Sequence, residues 1–144
     1  MIVEKSCGAV VYTVTEEGIR YIIIQSKTGF YGFPKGHMEN DETETETALR
    51  EVMEETGLLV TLDPDFRTAD HYRIPLGQDA EKEVIYFLGY YEGQTPVFTD
   101  RELSGGSLYS YDEAVKLLRF ENSKKILTEA DDHLKAQGKG NGKV

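Results

Sequence analysis

The sequence predicts an α/β fold in which a mixed β-sheet lies between helices. Three observations carry that expectation. Apolar runs of strand length fill the first quarter of the chain and recur between residues 58 and 91. An acidic helical pattern separates these two strand-rich stretches, and two further helical patterns close the chain. The chain has 144 residues, 39% hydrophobic and 29% charged, the balance of one globular domain with a single core. That domain is placed over residues 1–137, and the glycine- and lysine-bearing stretch 138–144 reads as a disordered tail.

The elements follow in order. Ser6 to Val14 and Ile19 to Gln25 read as strands joined by a turn at Glu16-Glu17-Gly18. Tyr21 to Ile24 is continuously apolar, as in a strand buried on both faces. A helix follows, with Asn40 and Asp41 as cap residues and Asp41 with Glu44 as a capping box. Gly57 is its stop, and Thr45, Ala48, Leu49, Val52, Met53 and Thr56 form its inward stripe. Leu58 to Leu62 and Phe66 to Ile74 are further strands, and Pro75 to Glu81 is a polar, mobile loop. The strand Val84 to Tyr91 sends Tyr86 and Phe87 to opposite sides. Helices are predicted over Asp112 to Arg119 and Glu121 to Ala136, the second burying Ile126, Leu127, Ala130 and Leu134.

Charge narrows the function. The formal net charge is −10. Between positions 39 and 55 eight carboxylates face a single cation, Arg50, so this window holds most of the excess. Such a protein is disfavoured as a binder of nucleic acid or of anionic membranes, both polyanions. The strand candidate Val84 to Tyr91 is far short of the ~20 apolar residues that cross a bilayer. No targeting segment is visible, and the lone Cys7 excludes an intrachain disulfide, so a cytoplasmic location is expected.

Glu51, Glu54 and Glu55 are spaced to share one helix face, which the helical wheel turns away from the apolar stripe, with Glu44 in line. Like charges at this spacing destabilise a helix by roughly 0.2–0.5 kcal/mol per pair. A bound divalent cation would supply the missing charge. An all-oxygen donor set favours Mg²⁺, or Mn²⁺, over zinc. The charge pattern alone leaves a merely solvated acidic helix equally open.

Residues 36–58 read GHMENDETETETALREVMEETGL. They resemble the Nudix box, with Gly36, Glu42, Arg50, Glu51, Val52, Glu54, Glu55, Gly57 and Leu58 at its fixed positions. Phe33 to His37 upstream, Lys82 to Leu88, and Asp112-Glu113-Ala114 downstream are similar to the asymmetrical diadenosine tetraphosphate hydrolases of that family. The chain departs from that group at Leu108, where an aromatic residue is usual, and at Gly105 and Gly106.

The resemblance implies an α/β/α sandwich and a Mg²⁺-dependent pyrophosphohydrolase. Water would attack phosphorus in a nucleoside diphosphate linked to another moiety, most simply diadenosine tetraphosphate, giving ATP and AMP. A pyrophosphohydrolase of nucleoside triphosphates or RNA 5′ ends is the alternative within the class, and a catalytically inactive nucleotide sensor is one outside it. The resemblance makes Glu54 the base, with Glu51 the second catalytic glutamate. It draws metal ligands from the Gly36 carbonyl, Glu51, Glu54 and Glu55. Glu102 is a further candidate ligand, with a surface loop glutamate the equal alternative. Arg50 and Glu42 would orient the other glutamates. Lys35, His37 and Lys82 are candidate contacts to the substrate phosphates, with Arg73 a weaker one. Tyr72 and Tyr86, with Phe30 and Tyr31, are candidate stacking partners of a base. The implied partner is a small-molecule nucleotide.

Overall fold

The computed structural model describes residues 2–75 and 79–139. Eight strands form one sheet among the described residues. The strands are β1 (Ile2–Thr15), β2 (Gly18–Ser26), β3 (Tyr31–Gly32), β4 (Lys35–His37), β5 (Thr61–Leu62), β6 (Thr68–Pro75), β7 (Asp79–Tyr90) and β8 (Leu103–Tyr109). The helices are α1 (Glu44–Thr56), α2 (Tyr111–Leu117) and α3 (Glu121–Ala136).

The central strand β1 decides the architecture. Its β7 edge pairs parallel from Ile2–Ala80 to Tyr12–Tyr90, while every other pairing is antiparallel, so the sheet is mixed. Its other edge is shared. β2 takes Tyr12 to Thr15 and β4 takes Ser6 to Gly8. The two partners part company along that edge, where Ala9 N–H still donates to the Pro34 carbonyl at 3.1 Å.

Alternation along the strands feeds two apolar layers. Val10, Tyr12, Tyr21, Ile23 and Leu88 pack with Leu118, Ile126, Leu127, Ala130 and Leu134 from the C-terminal helical region. Ala9, Val11 and Ile22 pack with Val52 and Leu58 at α1. Helices therefore cover both faces of the sheet, and β2 is buried from Tyr21 to Ile24 as its apolar run predicts. The Glu121–Ala136 helix stands where the pattern puts it.

Several boundaries differ from the sequence reading. The cap of α1 is Thr43, whose Oγ1 accepts from Glu46 N while Glu46 accepts from Thr43 N; Asn40 and Asp41 precede it in a turn. Asp41–Glu44 and Thr43–Glu46 both have capping-box spacing, and the chain uses the second. The inward stripe uses Thr47, Ala48, Val52 and Thr56; Thr45 and Met53 are exposed. Gly57 does end the helix, in the left-handed region at φ 70°. α2 begins one residue early, capped by Ser110 rather than at Asp112. Asp79 to Glu81, read as loop, extend β7 in register with β6, and residues 76–78 of that loop lie outside the described residues. Only Thr61–Leu62 of the Leu58 to Leu62 strand pairs, and the short β3 and β4 and all of β8 have no counterpart in the reading. Most of the proposed tail, residues 140–144, is also outside the described residues.

Candidate active site

The site is assembled around α1 and the β3–β4 segment that crosses its C-terminal half. Glycine permits two close approaches. A Cβ at Gly8 would overlap the Pro34 carbonyl and Lys35, and one at Gly36 would overlap the Glu51 carboxyl group. Lys35 N–H then donates to Glu55 Oε1 at 2.9 Å, joining β4 to the helix.

Arg50 bonds three of the glutamates it is expected to orient. Its Nε donates to Glu42 Oε2 at 2.6 Å, Nη1 to Glu51 Oε2 at 2.7 Å, and Nη2 to the His37 carbonyl at 2.9 Å. Nη1 also reaches Glu54 Oε1 at 3.2 Å. Glu42 accepts from Glu39 N–H and Thr47 Oγ1 as well, and the Arg50 bond above all holds its carboxyl down at about 2.

The three glutamates are not equivalent. Glu54 is exposed and meets only Arg50. Glu51 is half-buried, and desolvation raises its pKa against the pull of Arg50. Glu55 is 7% exposed, so the shared solvent face expected for all three does not hold. The β3–β4 segment covers it. Burial, opposed by the Lys35 N–H bond, pushes its carboxyl up to about 8. Glu44 lies along the same helical line two to three turns earlier, but its carboxylate is taken up by Lys5 at 2.6 Å and Arg67 at 2.9 Å and lines neither cavity.

Two cavities meet at this point. A polar cavity of about 540 Å³ is lined by Lys35, Gly36, His37, Glu51, Glu54, Glu55, Lys82 and Glu102 of the predicted set. Asp100, Arg101 and Ser6 line it too, unforeseen because they come from distant loops and from the floor strand. An adjoining apolar cleft of about 570 Å³ shares Lys35, Glu55 and Glu102. Its walls carry Tyr72 and Tyr86 with Phe30, Tyr31, Phe33 and Phe120. Tyr86 is buried and edge-on to Phe33 at 5.4 Å, whereas Tyr72 and Phe120 are exposed at 41% and 54%. Phe120 was missed because the break between two helices gives no aromatic periodicity. Arg73 lines neither cavity. Glu42 sits behind Arg50, outside both.

Among the described residues, no three acidic, histidine or cysteine side chains are drawn together closely enough to hold a metal ion. The donors nevertheless suit a hard cation. Glu51, Glu54, Glu55, Glu102 and the Gly36 peptide offer oxygen only, and Asp100 adds another carboxylate. Glu55 in particular is a buried carboxyl with one backbone donor and, among the described residues, no cation in bonding contact. A divalent ion would let it ionise.

Comparison with known proteins places the chain. A family model described as NUDIX domain matches residues 5–130. The bis(5′-nucleosyl)-tetraphosphatase [asymmetrical] of Sus scrofa is 29% identical over 142 residues, covering 90% of this chain and 95% of that one. The protein of the same name from Rattus norvegicus is 29% identical over 143 residues, with the same coverage. Among solved structures, a C. elegans Ap4A hydrolase binary complex superposes with a TM-score of 0.84 at 22% identity, over 92% of this chain and 98% of that one. The E. coli dihydroneopterin triphosphate pyrophosphohydrolase does so with a TM-score of 0.69 at 19% identity, over 90% and 97%. These structural likenesses bear on the fold.

Proposed function

Because this chain belongs to the Nudix family, we propose that it is a Mg²⁺-dependent pyrophosphohydrolase that cleaves dinucleoside tetraphosphates, converting diadenosine tetraphosphate to ATP and AMP. One observation carries the reading: an aromatic cleft and a carboxylate-lined cavity open into each other across Lys35, Glu55 and Glu102. The cleft suits a nucleoside and the cavity a phosphate chain. The names of the two mammalian relatives, matched over nine-tenths of this chain, point to the same substrate.

Glu51, Glu55 and the Gly36 carbonyl would hold Mg²⁺, with Glu102 reaching in from its loop. Held there, a divalent cation would neutralise phosphate oxygens and make the attacking water more acidic. Glu54, exposed and held only by Arg50, takes the proton of the attacking water. Arg50 keeps Glu51 and Glu54 at a fixed spacing by bonding both. Lys35 and Lys82 face the phosphates, and His37 stands at the cavity rim, 3.8 Å from Glu4. Tyr72 and Phe120 offer exposed rings to a base, and Tyr86 forms a wall behind them.

The test is a panel of nucleotides incubated with Mg²⁺ and resolved by chromatography. ATP and AMP in equal amounts from diadenosine tetraphosphate, with mononucleotides turned over at least tenfold more slowly, supports the reading. Preference for a nucleoside triphosphate redirects it to the alternative enzyme class, and tight binding without turnover redirects it to a sensor.

A further inference from the structure

Ser6 lies on the β1 floor of the polar cavity and is 1% exposed. Its Oγ has no hydrogen-bond partner, the one buried side-chain polar atom in that condition among the described residues. Buried hydroxyls are nearly always satisfied, because leaving one unpaired costs free energy that an alanine would not.

Its surroundings say what it is for. In register, Ser6 stands opposite Val84 of β7 and His37 of β4. The alternation that points Ser6 into the cavity points Lys82 the same way, two residues before Val84. Lys35 packs over Gly8, two residues along β1. Lys35 and Lys82 line the same cavity as Ser6, and neither forms an ion pair among the described residues. Two lysines on one cavity wall favour an anion between them. Lysines offer only donors, so they leave the Ser6 proton without an acceptor. A phosphate oxygen between the two lysines would meet all three groups at once.

We propose that Ser6 completes an anion seat with Lys35 and Lys82, its hydroxyl donating to a non-bridging oxygen of the bound phosphate chain. The inference rests on the reading of this cavity as the place of the phosphates. Ser6 acts on binding, so its loss raises KM more than it lowers kcat.

The experiment measures binding of methylenebisphosphonate, which hydrolysis cannot cleave, to the full chain with Mg²⁺ present. It compares the unmodified protein with Ser6→Ala and Ser6→Thr by calorimetry, alongside ligand-free thermal unfolding. One hydrogen bond to a charged group corresponds to about a tenfold or greater loss of affinity in Ser6→Ala. Ser6→Thr, which keeps the hydroxyl, retains affinity within about threefold of the unmodified protein. Ligand-free Ser6→Ala unfolds at the same or a higher temperature, because the hydroxyl it lacks had no partner in the fold. Equal affinity in Ser6→Ala, or a lowered unfolding temperature, overturns the assignment while leaving the hydrolase reading intact. No binding by the unmodified protein overturns both.

Discussion

Replacing Glu55 by glutamine isolates the electrostatic strain at the centre of the site. Glutamine keeps the shape and the acceptor for Lys35 N–H but cannot ionise. The Glu55 carboxyl titrates at about 8 in the folded chain against an ordinary value of 4.5. For an acid whose folded value is raised, charging is disfavoured in the folded state. The penalty is absent below the unfolded value, grows as pH rises from 4.5 to about 8, and is constant above. At about 1.36 kcal/mol per unit, its full size is at most about 5 kcal/mol. Urea unfolding in EDTA should therefore show the two proteins nearly equal at pH 5. At pH 9 Glu55→Gln should be more stable by roughly 3–5 kcal/mol. Saturating Mg²⁺ should narrow that gap, since a bound cation offsets the buried charge. A gap that does not change with pH in EDTA, or a wild-type protein that is the more stable at pH 9, would refute the reasoning.

Other outcomes follow from the same geometry. Glu54→Gln should lower kcat by ~10²-fold or more while the unfolding temperature holds, as for loss of a general base; unchanged turnover removes Glu54 from the mechanism. Gly36→Ala forces the Glu51 carboxyl aside, so the Mg²⁺ concentration for half-maximal activity should rise about tenfold or more, read from a metal titration. Glu44 is held at about 2 chiefly by Arg67 and Lys5. Its stabilising contribution is whole above about 4.5 and is lost as pH falls toward 2, so Arg67→Ala should flatten the acid limb of a stability–pH profile. EDTA should abolish hydrolysis and excess Mg²⁺ restore it; activity that survives chelation argues against the metal.

How much of this could be read from the chain itself differs by element. The acidic helix announced itself through Gly57 and the spacing around Arg50, and α3 through four apolar residues that are all buried. The strand β8 stayed hidden because Gly105 and Gly106 break its apolar pattern. Gly106 is small for a packing reason, since a Cβ there would press into the Phe98 ring. The burial of Glu55 was equally hidden. On a helical wheel it belongs with Glu51; what buries it is a segment twenty residues upstream folded across the helix. The aromatic cleft was legible only as separate rings, because β6 and the start of α3 meet there across a sequence separation of 52, as in the Asn122–Asp70 bond of 2.8 Å. Local pattern names the candidate glutamates; long-range contact decides which of them is exposed.

The parallel ladder between β1 and β7 has a consequence for biogenesis. The partner strand β7 ends at Tyr90, far downstream of β1, and until it has been made the β7 edge of β1 has no native mate. The cavity floor carried by that strand is finished only once the chain has been made through Tyr90. Nascent chains halted before that length would bear the acidic box yet be unable to hydrolyse anything, and they would be prone to self-association through that bare edge.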